Sequence, residues 1–288
     1  MGYALMAIGT SAYGEWAYNM ARSLKHYSAR PVALLHDGSS IGSVDLSIFD
    51  EVTKMHRSDT HRGGKLNPSY AKLRMCNYFP DWEQVMYLDV DGLCIADPEP
   101  LFNFSGPFGI QTTGKTDQKD GVYRNMLWME IGRFRQIFGK PDGSIPATNS
   151  SLILVNKGDE SEQIFSDALS YYYHYEKNYS TNQLYIRWGK SRSQDAILPD
   201  ELFWNAALTG KKFDYDLGSP IFFMNKHTKK EFSSIEGLRN KGYFCMGFYG
   251  NEKNNSLEYA KAYDEEVRKI GGIAKGQALL KRKFINFN

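Results

Sequence analysis

The stretch Val85-Met86-Tyr87-Leu88-Asp89-Val90-Asp91-Gly92 constrains the fold of this chain more than any other. Val85 to Leu88 is an apolar run with no charge before Asp89, the pattern of a strand buried on both faces. Side chains alternate along a strand, so Asp89 and Asp91 share one face and Val90 takes the other. Two carboxylates at a strand end make a poor core and a good seat for a hard cation, Mg²⁺ or Mn²⁺, which takes oxygen ligands from carboxylates and phosphates. In open α/β sheets ligands bind beyond the carboxyl ends of the strands, and the pair falls there. An Asp-x-Asp alone fits equally a strand-ending Asp followed by a turn Asp before Gly92.

The flanks add to it. Tyr70 to Phe79 has apolar residues near helical spacing, carries Lys72 and Arg74, and ends at Pro80. After the pair, Gly92 to Phe102 runs through a Pro-punctuated turn to an aromatic anchor. At the N-terminus an apolar strand through Ile8 enters the small-residue loop Gly9-Thr10-Ser11-Ala12-Tyr13. A helix with Trp16, Met20 and Leu24 follows, then a second strand from Pro31 to His36. That is a βαβ opening of the dinucleotide-binding kind. Asn149-Ser150-Ser151 leads an apolar strand to Val155, and Asp200, after Pro199, suits the cap or first turn of a helix that continues through Asn205.

These residues together resemble a GT-A glycosyltransferase, most like the retaining glycogenin and galactosyltransferase group, family 8. The resemblance implies an α/β fold of GT-A type: a mixed, mainly parallel sheet flanked by helices, with a Rossmann-like nucleotide-binding half. It implies that Asp89 and Asp91 hold Mn²⁺ or Mg²⁺ on the diphosphate of a nucleotide-sugar, a UDP-sugar foremost, and that Lys72 contacts the donor. Ile8, Gly9, Thr10 and Tyr13 match the nucleotide pocket, where a Tyr stacks on the base. Asn149 and Ser150 match the Asn-Ser-Gly that faces the donor sugar, with Ser151 replacing the Gly. Asp200, Glu201 and Asn205 match an Asp-Gln-x-x-x-Asn helix start, with Glu201 replacing Gln; Asp200 then orients the sugar or stabilises charge at its anomeric carbon. The late His-x-x-Gly-x-x-Lys motif is matched by Gly250 and Lys253, but Gly247 stands where its metal-binding His is expected. Either the metal has two carboxylates and waters, or another residue such as His227 serves. Retention of configuration follows from the resemblance alone.

Composition bounds the rest. At 288 residues and 42% hydrophobic, the chain supports one large α/β domain, expected over residues 1–255, with a C-terminal helix and basic tail over 256–288. The net charge of +2 argues neither for nor against nucleic acid. Cys76, Cys94 and Cys245 have no zinc spacing, and their odd number argues against a disulfide framework. No run approaches the roughly 20 apolar residues of a membrane span, and no signal peptide is expected, which places the protein in the cytoplasm. The cluster His56, Arg57, His61, Arg62 and Lys65, with Gly63-Gly64 as a hinge, reads as a loop closing over the donor or as an exposed polar loop. Tyr171 to Tyr175 reads as a packing surface or as an acceptor platform. The acceptor is expected to be a glycan or a lipid-linked saccharide. Two alternatives stand beside it: transfer to modified bases of DNA, prompted by the basic loops and tail, and a nucleotide-sugar binding protein without transferase activity, prompted by the missing His.

Overall fold

The structure is a computed structural model, and it describes residues 1–116, 129–140, 144–179, 185–186, 190–191, 197–223, 231–248 and 257–274. Strands and helices alternate from the start: β1 (Gly2–Ala7), α1 (Ser11–Tyr27), β2 (Val32–His36), β3 (Glu51–Lys54), α2 (Arg57–Thr60), then the short strands β4 (His61–Arg62) and β5 (Lys65–Leu66). Next come α3 (Pro68–Arg74), β6 (Gln84–Leu88), β7 (Gly92–Cys94), β8 (Phe108–Thr116), α4 (Ile131–Phe138), β9 (Ile145–Asn156) and α5 (Asp159–Asn178). The chain continues with β10 (Tyr185–Ile186), β11 (Lys190–Ser191), α6 (Asp200–Leu208), β12 (Ile221–Phe223), α7 (Ile235–Asn240), β13 (Cys245–Gly247) and α8 (Leu257–Lys269). Residues 1–57, 80–104 and 219–288 form one compact unit, and residues 58–79 and 105–218 a second.

In the first unit the strands run in the order β3-β2-β1-β6, every neighbouring pair parallel. β1, β2 and β6 are buried along their whole length, as their largely apolar sequences suit parallel strands covered on both faces. α1 is the crossover between β1 and β2. Trp16, Ala17, Met20, Ala21 and Leu24 are buried at helical spacing along it, and Lys25 and His26 in its last turn complement the dipole. A smaller sheet, β12-β13-β7, pairs β13 antiparallel with β7. Gly92 is needed there, because a Cβ on it would stand 2.7 Å from the Met246 carbonyl. α8 follows and packs into this unit through Tyr259, Ala260, Tyr263 and Val267.

In the second unit β8 and β9 form a long antiparallel pair, with α5 and α6 packed beside it. α4 ends at Gly139, whose φ of 63° is left-handed backbone that glycine adopts without strain. α3 is shorter than its periodicity suggests. Asn67 caps it through Tyr70 N–H and Pro68 opens it, but after Arg74 the chain tightens into a 3₁₀ turn over Met75–Tyr78. Phe79, before Pro80, is extended, as a residue preceding proline prefers. Residues 61–66 form a hairpin rather than an open loop. Gly63 and Gly64 turn it with φ 55° and 78°, and Arg62 ties it to α5 by an ion pair with Glu176 and by lying 5.2 Å over the rings of both Tyr70 and Tyr173. Of the Tyr run on α5, Tyr172 and Tyr175 are buried and Tyr173 is exposed, so packing takes most of it. Among the described residues no helix is long and apolar enough to cross a membrane.

Candidate functional site

The first unit carries the carboxylates. β6 ends at Leu88, and Asp89-Val90-Asp91 is the link to β7. The alternation expected of a strand survives in the link: Asp89 and Asp91 are half-buried while Val90 is turned inside. Tyr87, buried, donates its hydroxyl to Asp89 Oδ1 at 2.6 Å and so fixes that carboxylate. Asp91 is fixed through its backbone, whose carbonyl accepts the Phe248 N–H at 3.0 Å. β13 therefore runs directly beside Asp91. A side chain at position 247 meets the Phe223 ring: a Cβ on Gly247 would stand 2.3 Å from it. The Phe223 ring stands where a side chain on residue 247 would begin.

The same unit carries the loop after β1. Ile8 is buried, and Gly9 has φ 126°. Gly9 N–H donates to Asp37 Oδ2 at 3.1 Å, and Ser39 Oγ donates to Gly9 O at 3.0 Å. Asp37 Oδ1 also accepts the N–H groups of Ser39 and Ser40, and buried Ser40 Oγ donates to Ala7 O at 2.6 Å. Thus the turn after β2 clamps the turn after β1 at the carboxyl ends of two parallel strands. Gly14 permits this, since a Cβ on it would lie 2.3 Å from Ser40 O. Thr10 stands at the start of α1, and Tyr13 sets its ring edge-on to Trp16 at 5.1 Å. Sequence reasoning named Ile8, Gly9, Thr10 and Tyr13 and missed Asp37, Ser39 and Ser40; the signal was Asp37-Gly38-Ser39-Ser40, a turn directly after an apolar strand. His36 accepts Gly38 N–H at Nδ1, and burial lowers its pKa from 6.5, with nearby Lys54 adding to the effect and Asp37 opposing it.

The second unit carries Lys72, Asn149, Ser150 and the start of α6. Lys72 Nζ donates to Ser150 Oγ at 3.1 Å and Ser150 O at 3.4 Å. Ser150 lies where β9 bulges: Ile110 pairs with Ile153 but Gln111 with Asn149. Bulges re-aim side chains and cluster near active sites. Asn149 Oδ1 accepts Ser151 N–H at 2.9 Å and closes the bulge. On α6, Asp200 is a first-turn residue behind Pro199; it is buried and accepts the Trp204 indole N–H at 3.2 Å. Glu201 beside it is half-buried. Asn205 is fully buried, and its Oδ1 accepts both N–H (3.0 Å) and Oγ1 (2.8 Å) of Thr148, which fastens α6 to the strand before the bulge. Gly250, Lys253, His227 and the basic tail lie outside the described residues.

No family model matches the chain, and no curated protein matches it. Solved structures do match. The galactosyltransferase LgtC in complex with donor and acceptor sugar analogues aligns with a TM-score of 0.59 at 15% identity, over 94% of this chain and 95% of that one. An active-site mutant of LgtC, a glutamine replaced by glutamate, gives 0.62 at 15% identity, over 97% and 100%. The bifunctional glycosyltransferase WbbM in its apo form gives 0.56 at 14%, over 98% of this chain and 51% of that one. The fold is that of a GT-A glycosyltransferase. A GT-A fold implies a divalent metal, and the donor set fits one. Asp89 and Asp91 offer hard carboxylate oxygens on the outer side of a link whose middle residue is buried. Among the described residues no group of three or more His, Cys, Asp and Glu is placed to hold a metal. Two carboxylates, completed by diphosphate oxygens and water, suffice for Mg²⁺ or Mn²⁺.

Proposed function

We propose that the chain is a metal-dependent glycosyltransferase that moves a sugar from a UDP-linked donor to a glycan or lipid-linked saccharide, with retention at the anomeric carbon. The observation that carries the proposal is the Asp89-Val90-Asp91 link, two half-buried carboxylates flanking an inward Val at the end of a buried strand, in a GT-A fold. Asp89 and Asp91 hold the metal, with Tyr87 orienting the first of them. The metal, when bound, neutralises the diphosphate as the glycosidic bond breaks. Gly9, Thr10 and Tyr13, in a loop held by Asp37, receive the nucleotide. Lys72 places an ammonium against the donor, and that charge matters most as the leaving group becomes more negative. Asp200, held by Trp204, and Glu201 face the sugar as it develops positive charge. The saccharide acceptor is favoured by the neighbour LgtC, which was solved with an acceptor sugar analogue; two of the segments that prompted the DNA alternative, the loop with His227 and the tail, lie outside the described residues.

The test supplies Mn²⁺ and radiolabelled UDP-glucose, UDP-galactose or UDP-arabinose, with simple saccharides in one arm and hydroxymethylated oligonucleotides in the other. The expected result is Mn²⁺-dependent label in saccharide. Label only in the modified base replaces the glycan acceptor with DNA. Donor binding with neither transfer nor hydrolysis leaves a binding protein.

A further inference from the structure

Buried acceptors almost always have a donor, and among the described residues two side-chain oxygens do not: Gln84 Oε1 and Gln111 Oε1. Gln84 has a structural use, because its Nε2 donates to the carbonyls of Phe102 and Phe104 at 3.2 and 3.3 Å. Its orphan oxygen is the other end of an amide already engaged. Gln111 is different. It lies on β8, 2% exposed, at the foot of the β9 bulge, directly across from Asn149. Directly paired residues point to the same face of an antiparallel pair, so the Gln111 and Asn149 side chains share a face. The next pair, Thr112 and Thr148, takes the other face, where Thr148 meets Asn205 and Thr112 Oγ1 donates to Asp216 at 2.6 Å. The fold thus spends its neighbouring polar groups on structure and keeps one carbonyl oxygen in reserve, beside a bulge that also presents Ser150 to Lys72.

We propose that Gln111 determines sugar specificity: its Oε1 accepts a hydrogen bond from a hydroxyl of the donor sugar seated against the bulge. This rests on the proposed transferase function. A hydroxyl is the ligand group that suits a neutral acceptor; a phosphate or carboxylate has no proton to give it. The oxygen sits at the end of an unbranched side chain, and meeting the ligand requires rotation about its outer torsions.

The variant Gln111→Met keeps the length of the side chain and removes the acceptor. Deleting an orphan acceptor relieves the folded state, so the melting temperature should hold or rise. Affinity for UDP should stay unchanged, while affinity for the preferred UDP-sugar should fall about three- to tenfold, the worth of one hydrogen bond. In wild type, one monodeoxy UDP-sugar should show the same loss, and Gln111→Met should no longer tell it from the parent sugar. Equal losses for UDP and UDP-sugar, an effect confined to acceptor KM, or unchanged sugar discrimination each overturn the proposal. So does failure of both Gln111→Met and Gln111→Leu to fold, since the amide is then structural. If wild type itself binds no sugar linked to UDP, GDP or CDP, the transferase function fails and this role fails with it; that outcome is read from wild type alone.

Discussion

Lys72 and His36 show how differently single residues can be read. Lys72 was singled out by the family resemblance, and its role toward the donor is a proposal. Its ammonium donates to the hydroxyl and carbonyl of Ser150, and hydrogen bonds from a charged donor are worth about 1.5–3 kcal/mol. Lys72→Ala should lower kcat by ten- to a thousandfold while lowering stability by no more than that. A large loss of stability with kcat kept would make Lys72 structural. His36 was not legible as anything but a strand end. Burial lowers its pKa from 6.5, so the unfolded chain takes up a proton that the folded chain refuses. Stability from this group is complete above 6.5 and is lost as the pH falls from there toward the lowered folded value. Urea melts from pH 7.5 to 5 should show that slope in wild type and a shallower one in His36→Gln.

At the scale of elements, the bulge in β9 and the seating of α6 decide the second unit's site. Asn205 leaves Thr148 with both its N–H and its hydroxyl satisfied where both residues are fully buried. Asn205→Ala orphans the Thr148 N–H and leaves its hydroxyl only the 3.4 Å bond to the Glu201 carbonyl, at about 1–3 kcal/mol for the buried group left unpaired. Its chemical-denaturation midpoint should drop accordingly, and the start of α6, with Asp200 and Glu201, should lose its register on the strand. An unchanged midpoint would mean that Thr148 finds other partners. The sequence pattern located α6 through Pro199-Asp200 and β9 through its apolar run. It could not locate the bulge, which depends on a mismatch between partners far apart in the chain, as Gln111 and Asn149 are. For the same reason Gln111 stayed invisible, since an orphan acceptor is defined by what surrounds it. Asp37 was missed likewise: its partner Gly9 is 28 positions away. Helix α3 came out short because local geometry before Pro80 overrode the apolar spacing.

At the scale of the whole chain, the C-terminal helix belongs with the first unit's core. Tyr259 donates to the carbonyls of Phe222 and Gly247 at 3.2 and 3.0 Å, and Asn19 on α1 donates to the Tyr263 hydroxyl at 3.1 Å. Arg239 and Lys269 pair with Glu266. Burial of large side chains such as Tyr259, Tyr263 and Val267 contributes roughly 1.5–3 kcal/mol each, of the order of a domain's net stability of about 5–15 kcal/mol. A chain ending before Leu257 should fail to fold, with wild type as the reference. Equal solubility and cooperative melting of both would show that α8 is an appendage. The central claim, that Asp89 and Asp91 hold a divalent metal on a nucleotide diphosphate, is tested most directly by the Mn²⁺ resonance signal of a titration with and without UDP. Wild type should quench the free Mn²⁺ signal strongly only when UDP is present, because two carboxylates need diphosphate oxygens to complete the site. Asp89→Asn and Asp91→Asn should each lose that UDP-dependent quenching while keeping the wild-type melting temperature. UDP-dependent Mn²⁺ binding that survives in the double variant would contradict the account.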